Sequence, residues 1–261
     1  MSVLGIDLGG TKLAAAVFTE QGDVLSEERT ALNKRSGADT CLLLKDRISK
    51  IISERKGTKD PVRAIGIAVP GISYQETGRV WAPNIPDWEE FPLGDEIRKL
   101  DPGIPFTIEG DRACYILGGR WAGAAQGCTH AIFVSVGTGI GAGILVNGEL
   151  LRGSNDIAGA IGWMALEKPY HEKFTACGCL ESSASGEGIA KKAMELLSAA
   201  DDYQGSLKNK QTGLTAYDIF GAYDRKDKVA IEGINHVIEV WGMAVANLSS
   251  IFNPQKIIFG G

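Results

Sequence analysis

Apolar positions along the chain change their spacing several times, and each change marks an element. Residues 39–54 carry Leu42, Leu43, Leu44, Ile48, Ile51 and Ile52 at helical spacing, which predicts a helix. Val62 to Val69 is a nearly continuous apolar run ending at Pro70-Gly71, the pattern of a buried strand. Residues 104–108 are strand-like, and 112–126 are helix-compatible despite Gly118 and Gly119. Residues 186–199 read as a helix and 228–252 as a long one. The long one bears Ile234, Val237, Ile238, Trp241, Val245, Leu248 and Ile251 on one stripe, closed by Pro254. A core-facing stripe explains that pattern without a cofactor role. Lys256 to Phe259 predicts a last strand. Helices and strands alternate in the α/β manner.

Within this alternation one pattern occurs twice. "GIDLGGTKLAAAVFTEQGDV" from Gly5 and "VSVGTGIGAGILVNGEL" from Val134 share a strand, a glycine-rich turn, a strand and a second turn. Two like hairpins predict two like domains. Backbone lacking Cβ can present its N–H groups to a ligand, and such a turn forms a concavity for phosphate. Thr11 and Thr138 each add a hydroxyl, and Asp7, just before the first turn, is placed to hold water around a Mg²⁺ that bridges phosphates. Either hairpin taken singly reads equally well as an ordinary tight turn, and Asp7 as a partner for turn amides.

The bulk properties remove several classes of function. The chain has 261 residues, 44% of them apolar, enough for one large or two modest cores. The 27 basic and 32 acidic residues give a net charge of -5, without the basic stripe of a duplex binder, so nucleic acid is not an expected partner. No signal-peptide pattern is present at "MSVLGIDLGG", and no apolar run is read as approaching the roughly 20 residues that span a bilayer. No membrane association is expected, and the location read is cytoplasmic. Five cysteines, of which only Cys177 and Cys179 are close in sequence, argue for reduced thiols.

"GIDLGGTK", "GIAVPG", "APNIPDW", an "EGD" leading into a helix, "VSVGTGIGAGI", "AGAIGWM", "CGCLESSASG" and "NPQKIIFGG" resemble, in order and spacing, the ROK family of sugar kinases and sugar-responsive repressors. The likeness runs nearly end to end. It implies two ribonuclease-H-like domains of the actin-like ATPase type, at 1–112 and 113–261, with ATP and Mg²⁺ in a cleft between them. It also implies a small-molecule sugar whose hydroxyl receives the γ-phosphoryl group, and possible homodimers. The second domain is expected to be incomplete, since family members continue beyond the final glycine pair, and the added DNA-reading segment of repressor members is not expected before a hairpin that begins at the first residue.

Carried over by position, Asp7, Gly9, Gly10, Thr11 and Lys12 match the first phosphate hairpin, and Gly137, Thr138 and Gly139 the second. Gly260 and Gly261 match glycines beside the adenosine. Asn84 and Glu181 match sugar-binding residues, and Asp111 matches the catalytic base. Chemistry supplies a separate reason to want Asp111, because the attacking hydroxyl must lose a proton to a carboxylate within reach. Aspartate at a strand-to-helix junction is also a good N-cap, so the residue has two readings, of which the base is preferred.

Three positions depart from the family pattern. Gly110 stands for an asparagine, Ala160 for a glutamate and Trp163 for a histidine, which removes polar sugar contacts and argues against glucose as preferred substrate. Trp163 offers a flat apolar face with one N–H for a different sugar or an N-acyl or aryl group, or else fills the space left at Ala160. That histidine is also a structural zinc ligand in the family, and the cysteine segment is shortened to "ACGCLE". Cys179, Cys177 and His171 fall short of four ligands, so no metal is expected there. A non-catalytic sugar sensor and an actin-like assembly protein are the competing readings.

Overall fold

The computed structural model describes residues 1–200, 202–208, 210 and 213–261, which pack as two compact units, Met1–Cys114 with Arg152–Ile157, and Tyr115–Leu151 with Ala158–Gly261. Arg152–Ile157 thus packs with the first unit, an arrangement that a single boundary at 112/113 does not describe.

In the first unit a three-stranded meander, β1 (Ser2–Leu8), β2 (Lys12–Thr19) and β3 (Val24–Ala31), leads into helix α1 (Gly37–Arg55) and strand β4 (Val62–Val69). Short strands β5 (Ile72–Tyr74), β6 (Arg79–Trp81) and β7 (Glu89–Phe91) form a small separate sheet. Helix α2 (Leu93–Arg98), strand β8 (Phe106–Gly110) and helix α3 (Asp111–Ala122) follow. The main sheet runs β3-β2-β1-β4-β8, with β4 parallel to both β1 and β8. Central β4 buries Ile65, Ile67 and Val69 on one face and leaves the small residues Ala64, Gly66 and Ala68 half-buried on the other. Helix α1 begins where the Ser36 hydroxyl accepts the Asp39 N–H at 3.2 Å, and it buries Cys41, Leu44, Ile48 and Ile51 at helical spacing against the sheet.

The second unit repeats the opening. Strands β9 (Ala131–Val136), β10 (Ile140–Val146) and β11 (Glu149–Leu150) form its meander. Helices α4 (Cys179–Ala184), α5 (Gly186–Ala199), α6 (Ala216–Asp224) and α7 (Lys228–Phe252) precede strand β12 (Lys256–Gly260). The sheet runs β11-β10-β9-β12, with β12 parallel to β9 as β4 is to β1. Asp227 caps α7, accepting from Val229 and Ala230 N–H with one oxygen and from the Tyr203 hydroxyl and Ser206 N–H with the other. Asn253, at φ 42°, ends that helix in the left-handed conformation before Pro254.

Helix α7 corrects one expectation. It has 25 residues and an 18-residue window of mean hydropathy 1.2, so by length and composition it could span a bilayer. Its Val229, Ile234, Val237, Val240 and Leu248 are buried in the core of the second unit instead. The helix read over 112–126 ends at Ala122, with Gly123 and Ala125 turned back onto the Gly119 carbonyl. The edge strand read over 104–108 is shifted to Phe106–Gly110, where its register against β4 is set.

Candidate functional site

Register within the first sheet assembles one group of candidates. Asp7 on β1 lies opposite Ala68 on β4, and Ala68 lies opposite Glu109 on β8. All three are near the carboxyl ends of parallel strands, where α/β sheets hold their ligands. Asp111 follows on the same edge as the first residue of α3. Its Oδ1 accepts the N–H of Arg112, the next residue, at 2.7 Å. A capping side chain would reach the second or third N–H of the helix, so Asp111 is not acting as an N-cap of the usual kind. Burial pushes its pKa up; the Arg112 N–H and guanidinium oppose this, and the charge of Asp7 adds to it.

Asn84 comes to this edge through a closed loop. Ala82 N–H donates to Trp88 O, and Ile85 N–H donates to Ala82 O. Trp88 is fully buried, stacks on Phe91 with ring centroids 4.7 Å apart, and donates its indole N–H to Gly37 O at 3.0 Å. The anchored loop sets Asn84 against the first hairpin, where a Cβ on Gly10 would lie 3.1 Å from Asn84 Cβ. Gly9 N–H donates to Lys12 O at 2.9 Å and closes the turn.

The second unit gathers the other candidates. Gly137 N–H donates to Gly139 O, and Gly186 N–H at the start of α5 donates to Gly137 O at 2.8 Å. The second hairpin therefore abuts a helix N-terminus, where oriented N–H groups and the helix dipole favour an anion. Glu181 Oε2 accepts the Ile140 N–H at 2.7 Å and would lie 2.7 Å from a Cβ on Gly139. A Cβ on Gly261 would meet Val136 O at 2.3 Å, so the chain passes this strand end as bare backbone. Beside it opens a cavity of about 1070 Å³ lined by Val136, Ile189, Tyr217, Phe220, Trp241 and Phe259, with Thr138, Gly260 and Gly261 at its margin.

Trp163 is 56% exposed in a short 3-10 turn, Ile161–Trp163, whose Gly162 packs against Glu181, a Cβ there meeting Glu181 Cβ at 3.0 Å. In the shortened cysteine segment Cys177 Sγ lies 3.2 Å from Ser182 Oγ, Cys179 is buried, and the buried Phe174 ring sits edge-on to His171. No cluster of three or more metal-ligating side chains occurs among the described residues.

Asp7, Asn84, Gly9–Lys12 and Asp111 thus fall in the first unit, and Gly137–Gly139, Trp163, Glu181, Gly260 and Gly261 in the second. Three features escaped the sequence reading. Arg152 pairs with buried Glu109, the α5 N-terminus meets the hairpin, and Trp241, read as core only, also walls the cavity. The spacing "SASGEG" between a capping serine and a helix was the one available signal, since Ser185 accepts the Gly188 N–H.

A glycine-lined turn against a helix N-terminus, an aromatic cavity beside it and an exposed carboxylate at a strand end are the parts of a phosphate-handling α/β protein of the actin-like ATPase class. The surfaces fit a nucleotide, with open backbone at Gly137, where nothing lies within 4 Å of a Cβ. The carboxylate of Asp7, exposed near the end of β1, suits the mode in which Mg²⁺ would keep most of its waters and be held by one or two carboxylates. The chain belongs to the ROK family, whose model matches residues 3–261. It is 34% identical over 266 residues to a glucokinase of Halalkalibacterium halodurans, covering 99% of this chain and 79% of that one. It is 32% identical over 267 residues to a xylose repressor of Caldicellulosiruptor bescii, covering 99% and 65%. A Streptomyces griseus ROK glucokinase solved with glucose and AMPPNP superposes with a TM-score of 0.73 at 29% identity, over 100% of this chain and 83% of that one.

Proposed function

We propose that the chain is an ATP-dependent carbohydrate kinase, transferring a γ-phosphoryl group to a hydroxyl of a hexose or hexose derivative, with Asp111 as general base. The observation that carries this reading is Asp111. Its carboxylate stands at the strand-end edge beside Asp7, is not consumed by capping, and has its pKa raised by burial toward the range of a useful base. The relative named glucokinase supports the same class.

In this reading Asn84 orients the sugar. Asp111 accepts the hydroxyl proton as the new oxygen–phosphorus bond forms and the bond from the γ-phosphorus to the departing ADP oxygen breaks. Gly9 and Gly137 close their turns with their own N–H groups, and the N–H groups of Gly10, Thr11, Thr138 and Gly139, with Lys12 and the dipole of α5, hold the phosphate charge, which is most of what phosphoryl transfer asks of a protein. Mg²⁺, when bound, neutralises charge on the phosphates, and Asp7 is the residue to hold its water shell. Glu181 and Trp163 face the sugar from the second unit, while Gly260 and Gly261 lie along the adenosine.

Glucose is not the preferred substrate in this reading. The amide that would grip a hydroxyl is absent at Gly110, where the Gly71 carbonyl takes up the space, and Ala160 and Trp163 lack the family's polar groups. The test is ADP release over hexoses, N-acetylhexosamines and pentoses, with sugar affinity measured by calorimetry in parallel. The match to a xylose repressor favours the second reading, a non-catalytic sugar sensor. Tight binding of a sugar without sugar-dependent ADP release would establish that reading and sink the first.

A further inference from the structure

Strand β8 is the outer strand of its sheet, so backbone pairing with β4 holds it along one side only. Its last three residues lead straight into Asp111, and each is gripped by something outside the ladder. The Ile108 carbonyl accepts the Gln75 side-chain N–H at 3.0 Å, and Gln75 is fixed in turn because its backbone N–H donates to Asp156 Oδ2 at 3.0 Å. The Glu109 carboxylate accepts from the Arg152 guanidinium. Gly110 packs against the Gly71 carbonyl. Two of the three grips trace to Arg152–Ile157, the segment that packs with the first unit although the chain on either side of it belongs to the second.

Stability is a poor explanation for the Arg152–Glu109 pair. Glu109 is 7% exposed, and the desolvation of a buried charge commonly offsets the attraction of its partner. The pair is also incompletely bonded, since Arg152 Nε is buried without a hydrogen-bond partner among the described residues. Its place is more informative. Glu109 stands two residues before Asp111. Burial, with the charges of Glu109, Asp111 and Asp7 added to it, pushes the Cys114 thiol up to about 12, so these carboxylates surround one small volume.

Resting on the kinase reading, we propose that Arg152 is a positioning residue for the phosphoryl transfer: through Glu109 it fixes the end of β8, and with it the aim of the Asp111 carboxylate at the sugar hydroxyl. In this role Arg152 touches neither sugar nor nucleotide, and no proton passes through it. A base displaced by about 1 Å loses on the order of 10²-fold in rate. Nucleotide binding rests on the glycine turns and Lys12 and is independent of this contact.

Steady-state kinetics with the cognate sugar, calorimetric titration with ADP and Mg²⁺, and melting temperatures of the full chain test this together. Arg152→Met should lower kcat by about 10- to 100-fold and leave ADP affinity unchanged. Because it strands a buried carboxylate, the same variant should also melt earlier. Adding Glu109→Gln removes that charge and should restore the melting temperature while kcat stays low, which separates positioning from stability. In an Asp111→Asn background Arg152→Met should lower turnover no further, since it acts through that carboxylate. Arg152→Lys keeps the charge and should recover part of kcat. Wild-type kcat in the Arg152→Met variant or in the double variant, or a loss that adds in full to that of Asp111→Asn, would overturn the proposal and leave the kinase reading standing. Unaltered protein that releases no ADP with any sugar of the hexose, N-acetylhexosamine and pentose panel would overturn both.

Discussion

A Cβ on Gly110 would lie 2.6 Å from the carbonyl oxygen of Gly71, closer than real side chains approach a backbone. Gly71 is itself hemmed in, since a Cβ there would meet Trp81 O at 2.0 Å. Backbone has moved into the volume that an asparagine side chain would need. Restoring the family residue with Gly110→Asn should therefore cost about 1 to 3 kcal/mol through overpacking and should not improve glucose turnover. Thermal denaturation and a glucose assay check both halves; a stable variant with raised glucose activity would show that the space is only nominally filled.

Asp111 separates into two roles by substitution. With the carboxylate meeting, among the described residues, only the N–H and guanidinium of its neighbour Arg112, Asp111→Asn and Asp111→Ala should each leave the melting temperature nearly unchanged, while turnover falls by about 10² to 10⁴ in both. An asparagine variant with normal turnover would return Asp111 to a structural role.

Its raised pKa also sets the acid limb of the rate profile. The base must be ionised, so activity should be lost as pH falls through a value above the ordinary 3.8 of aspartate. For stability the sign is opposite. The native state holds the proton more tightly than the unfolded chain, so the ionised form costs folding free energy above this window, and the cost is relieved as pH falls through it. Comparing pH dependence of unfolding for wild type and Asp111→Asn isolates that contribution.

The loop carrying Cys177 and Cys179 is filled by Phe174, 2% exposed, and Cys177 is 3.2 Å from a serine hydroxyl. Purified protein is expected to carry no stoichiometric zinc. Elemental analysis near one zinc per chain would refute this, and His171, Cys177 and Cys179 would be the ligands to replace.

Asp227 accepts five hydrogen bonds from two directions, which ties the start of α7 to the turn at Tyr203 and Ser206. Asp227→Ala should cost at least about 2 kcal/mol, combining a lost cap with donors left unpaired, and Asp227→Asn should recover part of it. Chemical denaturation of the two variants measures the difference.

Spacing alone marked α1, β4, α5 and α7, because an apolar stripe of fixed period has one way to be buried. The repeated glycine turns marked both hairpins, at Gly9–Gly10 and Gly137–Gly139, since bare backbone leaves its trace in the sequence as glycine. Asp111 was recognisable by its position after a strand. The sequence could not tell a base from a cap, because that depends on which N–H the carboxylate meets in three dimensions. Tertiary structure decided that the carboxylate meets Arg112, that Glu109 is paired by Arg152 from 43 residues away, and that Gly71 carbonyl fills the space beside Gly110. It also decided that Trp241, read as core, walls a cavity with Phe259 from β12. Local periodicity records which face of an element is apolar. The partner it meets there is set by the register of strands and the packing of helices distant in sequence.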